Sequence, residues 1–166
     1  MAIVIRVVAL PLVLAAGGVD WVQAQLIDEA KVAVAPRGEE AFRGLWPGDF
    51  GGNMDVPEVR EGTTVYLPIF HDGAYFYFGD GHARQGEGEV AGTGLETSMD
   101  VEFTVEVIPN RTLATPRVES PTHIMAVGLG GTLEDALRAA TSGLGQWLEQ
   151  DYSLTPSEIA MVLGSS

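Results

Sequence analysis

Residues 101–108 read VEFTVEVI, and this run alternates strictly. Val101, Phe103, Val105 and Val107 fall on one face, while Glu102, Thr104 and Glu106 fall on the other. Successive side chains of a strand point to opposite faces, so this period predicts a β-strand with one buried and one wetted side. A lone strand cannot bury its apolar face, and the chain must supply more strands and a second layer. TTVYLPIF (63–70) and AYFYFG (74–79) have the right chemistry, being rich in β-branched and aromatic residues. The HDG between them carries Asp72-Gly73, which predicts a hairpin. Pro68 inside the first run predicts an edge position or a bulge. THIMAVG (122–128) predicts a further strand.

The C-terminal part changes period. Thr132 is placed to cap a helix whose apolar residues are Leu133, Ala136, Leu137, Ala140, Leu144, Trp147 and Leu148. Intervals of three and four trace one stripe along it. Thr155-Pro156-Ser157-Glu158 reads as a capping box with proline at the first helical position. The helix it starts ends with LGSS, which predicts a truncated chain. Residues 30–60, rich in Pro, Gly and acidic side chains, read as irregular surface loop. The expected fold is therefore mainly β, with packed or swapped sheets (a sandwich) and a C-terminal helical pair. It divides into an apolar N-terminal segment, 1–31, and one domain, 32–166.

A chain of 166 residues is long enough for one domain with a real core. Its net charge of −14 and lack of any basic cluster argue against nucleic acid and anionic membranes as partners. Cysteine is absent, which excludes disulfides, thiolate zinc sites and thiol nucleophiles. Lys31 is the only lysine, and no serine-rich loop accompanies it as a Ser-Ser-Lys amidase site requires. No GxSxG elbow occurs. Carboxylate and imidazole chemistry remains, with or without a metal.

The start of the chain admits two readings. MAIVIR precedes a 13-residue apolar run, VVALPLVLAAGGV, and a Val-x-Ala ending, as in a secretory signal cleaved near Ala24. Arg6 after a hydrophobic opening and Asp20 before the cleavage point argue instead for a buried strand. The apolar run is too short to span a bilayer as a helix. A cytoplasmic location is the expectation, with export as the alternative.

The stretch GDGHARQGEGE (79–89) gathers Asp80, His82, Glu87 and Glu89 among four glycines. It reads either as a solvated hairpin loop or as a site whose glycines turn the backbone so that Asp80, His82 and Glu89 face one cavity. Asp80 and His82, two apart, share a face when extended and suit a single divalent ion. Glu89 and Glu96 lie close enough in sequence to return to the same mouth. An imidazole favours zinc, and an oxygen-dominated set favours calcium.

GGNMD (51–55), the YLPIF strand, GDGHARQGEGEVAGTGLET (79–97) and VEFTVEVI together resemble the acetamidase/formamidase family, from about Val32 to the C-terminus. The resemblance implies hydrolysis of short linear amides to ammonia and a carboxylate, assisted by a metal, in homo-oligomers with an all-β core. Going beyond the motif match itself, the expected roles are Asp80 and His82 as metal ligands and Glu89 as general base, with Asp55 and Glu96 as further catalytic candidates. Asn53 and Gln85 orient the amide. The family's N-terminal half is not recognisable in residues 1–31, so the alternative is an inactive, truncated β-rich interaction module. His71 and His123 read as structural, Tyr75, Phe76, Tyr77 and Phe78 as sheet core with one wet face, and Trp46 as loop packing.

Overall fold

A computed structural model of the chain describes residues 1–9 and 29–165. Among them, the strands are β1 (Ala2–Ala9), β2 (Glu29–Ala33), β3 (Gly51–Gly52), β4 (Thr64–Pro68), β5 (Tyr77–Arg84), β6 (Leu95–Glu96), β7 (Glu102–Ile108), β8 (Arg117–Glu119) and β9 (Ile124–Ala126). Two helices follow, α1 (Leu133–Tyr152) and α2 (Pro156–Ser165). The strands form two antiparallel sheets, ordered β7-β1-β4-β8-β9 and β3-β2-β5-β6. The expected class, mainly β with a C-terminal helical pair, is the class observed. No helix of the described residues is long and apolar enough to cross a membrane.

β1 is an inner strand, paired with β4 on one side and β7 on the other. Ala2 to Ile5 and Val7 are buried, while Arg6 is exposed. Residues 2–9 thus take the strand reading of the N-terminus, and the cleavage point considered near Ala24 lies outside the described residues. Ile3, Ile5, Val65, Leu67 and Val118 of the larger sheet share one apolar cluster with Val32, Ala33, Val34, Phe50 and Met54. The stretch 30–60 is mostly irregular as expected, except that it contributes the end of β2 and all of β3.

The runs 63–70 and 74–79 are not the two arms of a hairpin. β4 belongs to one sheet and β5 to the other, because the connection carries consecutive left-handed residues, Ala74 and Tyr75, that break strand pairing. Pro68 sits on an inner strand, not at an edge, and is tolerated as the final residue of β4, where the ladder ends. β7 takes the expected conformation but not the expected burial: Val105 and Val107 are 44% and 54% exposed. It lies at the end of its sheet, where Phe103 finds apolar cover against Phe76 and Phe78 and Val101 packs on Val7. Tyr75, Tyr77 and Phe78 are likewise exposed, and of that aromatic run only Phe76 packs on the core.

Thr132 caps α1 by accepting from the Asp135 N–H at 3.1 Å. The Thr155–Glu158 capping box forms, with Thr155 N–H donating to Glu158 Oε2 at 2.8 Å. The apolar stripe of α1 is buried only in its second half. Trp147 and Leu148 are covered, whereas Leu133 and Leu137 face solvent. Arg117 of β8 is buried against α1, donating to Gln146 and Gln150 and lying 5.0 Å from the Trp147 ring centroid. Burial, then the nearby Arg111, push its guanidinium down to about 10.

Candidate active site

The first half of GDGHARQGEGE is not loop but the end of β5. Opposite β2, Lys31 pairs with Gly79 and Glu29 pairs with His82, so three steps on β5 match two on β2. This is a β-bulge, and the left-handed φ of Asp80 (54°) lies within it. Regular alternation would put Asp80 and Gly79 on opposite faces. The extra residue instead turns Asp80 toward Lys31, whose ammonium donates to Asp80 Oδ2 at 2.5 Å.

Lys31 holds two more carboxylates nearby, Asp55 Oδ1 at 3.5 Å and Glu89 Oε2 at 3.9 Å. Asp55 and Glu89 also have positive φ, 55° and 44°. Left-handed backbone at a non-glycine residue costs free energy of order 1 kcal/mol and clusters at functional sites. Burial opposes the charge on Lys31, but its acidic neighbours, Asp80 first, outweigh it and raise the ammonium above its ordinary value. The hydrogen bond from Lys31 holds Asp80 low, against its partial burial. Asp55 moves the other way: burial raises it, Lys31 opposes, and the adjacent Glu89 adds to the rise.

His82 is fully buried and lies directly across from Glu96 on β6. Its Nδ1–H donates to Gln85 Oε1, which leaves Nε2 aimed at Glu96 Oε1, 3.1 Å away. Asp80 Oδ1 and Glu89 Oε1 lie 3.7 and 3.9 Å from the same Nε2. Two glycines make this approach feasible. A Cβ on Gly94 would lie 2.7 Å from His82 Cγ, and one on Gly81 would lie 2.0 Å from Met99 Cε.

One ligand atom each from Asp80, His82 and Glu96 lies within 4.8 Å of the others. An imidazole nitrogen with two carboxylate oxygens suits zinc with room for water, and Gln85 holds the ring through Nδ1. The donor set therefore fits a divalent ion.

All seven residues singled out from sequence come to one mouth. Asn53 approaches through its Nδ2, 3.5 Å from Asp55 Oδ2. Asn53 Oδ1 and Gln85 Nε2 are buried without a hydrogen-bond partner, while the other polar atom of each side chain meets Asp55 and His82. Glu96 sits with the candidate ligands Asp80 and His82, and Glu89 meets the same His82 Nε2, while Glu87 is exposed. His71 binds the Pro36 carbonyl and His123 pairs with Thr122, as structural residues do. Sequence reasoning missed Lys31, which it weighed only as part of a serine-dependent site. A lone ammonium in a chain of net charge −14 was the available signal. Next to Lys31 and Asp80 lies a recess of about 160 Å³.

Fold and centre together define a class, a two-sheet β protein whose polar cluster combines carboxylates, an imidazole and an ammonium. Within it, the chain belongs to the Acetamidase/Formamidase family, whose sequence profile matches residues 12–141. It is 37% identical over 82 residues to a formamidase of Methylophilus methylotrophus, an alignment covering 49% of this chain and 19% of that protein. An acetamidase of Mycolicibacterium smegmatis is 33% identical over 70 residues, 42% of this chain and 17% of that one. The solved acetamidase of Yersinia enterocolitica superposes with a TM-score of 0.84 at 26% identity, over 99% of this chain and 62% of that one. The acetamidase of Bacillus halodurans gives 0.84 and 26%, over 99% of this chain and 66% of that one. The chain thus spans under a fifth of the curated relatives' length in alignment, and about two thirds of the solved chains.

Proposed function

We propose that this chain hydrolyses short linear amides to a carboxylate and ammonia at the Lys31–Asp80–His82–Glu89 centre. The observation that carries the reading is convergence: Asp55, Asp80, His82, Glu89 and Glu96 meet in one polar cluster, where bulged and left-handed backbone holds Asp55, Asp80 and Glu89. Family membership and the formamidase and acetamidase relatives support the same reaction.

In this reading Glu89 takes a proton from water, whose oxygen attacks the amide carbon. The carbonyl π electrons move to oxygen as the tetrahedral intermediate forms. On collapse the C–N bond breaks, and Glu89 returns the proton to the departing nitrogen. Lys31 is a positioning residue that keeps Asp55, Asp80 and Glu89 close despite their mutual repulsion. Asn53 and Gln85 present the unpartnered Oδ1 and Nε2 to the amide group. Asp80, His82 and Glu96 would hold a divalent metal, zinc before calcium, which when bound supplies a Lewis acid for carbonyl or water. Homo-oligomer formation is part of the proposal, supported by the exposed Val105 and Val107 on the end strand β7.

Ammonia release from formamide and acetamide tests the reaction, and light scattering tests the assembly. Ammonia production abolished by Glu89→Gln is the expected result. A stable monomer at micromolar concentration contradicts the oligomer.

A further inference from the structure

Cross-strand rows of the larger sheet run unbroken from the core to its edge. Val118 of β8, Val65 of β4, Ile5 of β1 and Val105 of β7 are directly opposed in turn, as are Leu67, Ile3 and Val107. Opposed residues of antiparallel strands project to the same side, so both rows lie on the face that carries the core. Every member on β1, β4 and β8 is buried, yet Val105 and Val107 at the row ends stay 44% and 54% exposed. Among the described residues, β7 is the end strand and nothing pairs beyond it. An end strand whose core-side residues are bare is a template for another strand. The opposite face of β7 carries Glu102, Thr104 and Glu106, all exposed.

We propose that β7 pairs antiparallel with β7 of a second copy, about a two-fold axis through Val105. This pairing rests on the homo-oligomer reading and adds its interface. Patterning and charge select the register. A slip by one residue sets the core-side face of one copy beside the outer face of the other. Of the registers that keep the faces matched, a centre at Thr104 opposes Glu102 to Glu106, and a centre at Glu106 opposes that carboxylate to itself. A centre at Phe103 opposes Glu106 to Asp100. Like charges directly opposite destabilise a pair. Centres at Glu102, Val107 or Ile108 pair three residues of β7 or fewer. The centre at Val105 escapes all of these: Phe103 opposes Val107, Glu106 opposes Thr104, and Glu102 opposes Ile108. It also brings opposite charges together. On the outer face, the row Thr64–Arg6–Thr104 continues into Glu106 of the second copy. The exposed Arg6 and that glutamate flank one small threonine, two strand spacings or about 10 Å apart at the backbone, which two long side chains can bridge.

The chain has no cysteine, so introduced thiols report the register without interference. Oxidised glutathione accepts the two electrons as an intermolecular disulfide forms. Directly opposed Cα atoms lie about 4.5–5.5 Å apart, and a disulfide spans about 6.8 Å at most, whereas diagonal neighbours lie about 7–8 Å apart. Val105→Cys alone is therefore expected to give a covalent dimer. Thr104→Cys and Glu106→Cys are each expected to stay uncrosslinked alone and to cross-link when mixed. Val105→Glu sets two carboxylates face to face on the axis. Sedimentation should show its association weakened about tenfold or more, with circular dichroism unchanged. Cross-linking of Thr104→Cys or Glu106→Cys alone, or an oligomer that Val105→Cys does not cross-link, overturns this interface and leaves the homo-oligomer reading standing. A Val105→Glu chain that associates undiminished does the same. A monomeric unaltered chain overturns both. Should Val105→Cys not fold, the exposed Thr104→Cys and Glu106→Cys pair decides the register by itself.

Discussion

The Lys31 ammonium lies 2.5 Å from the Asp80 carboxylate because a single extra residue in β5 turns Asp80 to the face that Lys31 occupies. The chain's one lysine sits opposite Gly79, and without the bulge it would meet no acid on that strand. The bulge therefore joins the metal-type cluster of Asp80, His82 and Glu96 to the acid pair Asp55 and Glu89.

Removing the ammonium should separate that assembly. Lys31→Met leaves Asp55, Asp80 and Glu89 facing one another with no cation, so turnover is expected to fall about a hundredfold or more. The fold should also lose stability, and Asp80→Asn in the same chain should recover part of it. A double-mutant cycle by urea unfolding checks this, with a coupling of about 1–3 kcal/mol expected for residues in direct contact. Strict additivity would show that the pair is decorative.

Gly94 gives a second handle on the site. Its substitution by alanine puts a methyl group 2.7 Å from His82 Cγ, and the buried ring must move. Zinc affinity and kcat/KM are expected to fall about 10–100-fold together, as for a disturbed ligand support, with the far-ultraviolet circular dichroism unchanged. Equilibrium dialysis with zinc gives the binding side of that comparison. Undiminished zinc binding would mean that His82 is not a ligand.

The fold class was legible because alternation and capping are local signals. VEFTVEVI declares a strand, and the Thr155–Glu158 pair declares a helix start. What was not legible depended on pairing across distance. The Asp72-Gly73 hairpin signal lost to the left-handed pair Ala74–Tyr75, which sends the chain into the other sheet. The burial of β7 failed because alternation states which side chains share a face and not whether anything covers it. That the seven candidate residues lie together was legible through the motif that carries them, and their roles belong to the proposal. Lys31 escaped because its role comes from the β2–β5 register and a bulge.

Acid should weaken the attachment of α1. Burial disfavours the Asp151 charge, but Arg111, at 2.6 Å, and the Trp147 indole N–H outweigh it and hold the carboxyl below its ordinary value of 3.8. A folded-state value below the unfolded one stabilises the fold fully above the unfolded pKa. That stabilisation is lost as pH falls through the lower folded value. Thermal melts from pH 6 down to pH 2 should therefore show a loss for the unaltered chain that is shallower in Asp151→Asn (the pH limits are approximate, about two units either side of the ordinary value).

Trp147 joins α1 to the larger sheet. Its ring is buried, meets Tyr66 edge-on at 5.5 Å and lies under the Arg117 guanidinium. Trp147→Ala should cost about 3–5 kcal/mol, the range for a large aromatic removed from a core, read from the denaturation midpoint at unchanged slope. A cost within about 0.5 kcal/mol would place α1 outside the cooperative unit.

The central claim is that Glu89 moves the proton for amide hydrolysis at the centre Lys31 organises. Ammonia release from formamide, by the purified chain and by Glu89→Gln with matched circular dichroism and matched zinc content, tests it most directly. The account predicts steady ammonia production by the unaltered chain and a loss of about a hundredfold or more in Glu89→Gln. A folded, zinc-loaded chain that releases no ammonia, or a Glu89→Gln chain that releases it undiminished, would contradict the account.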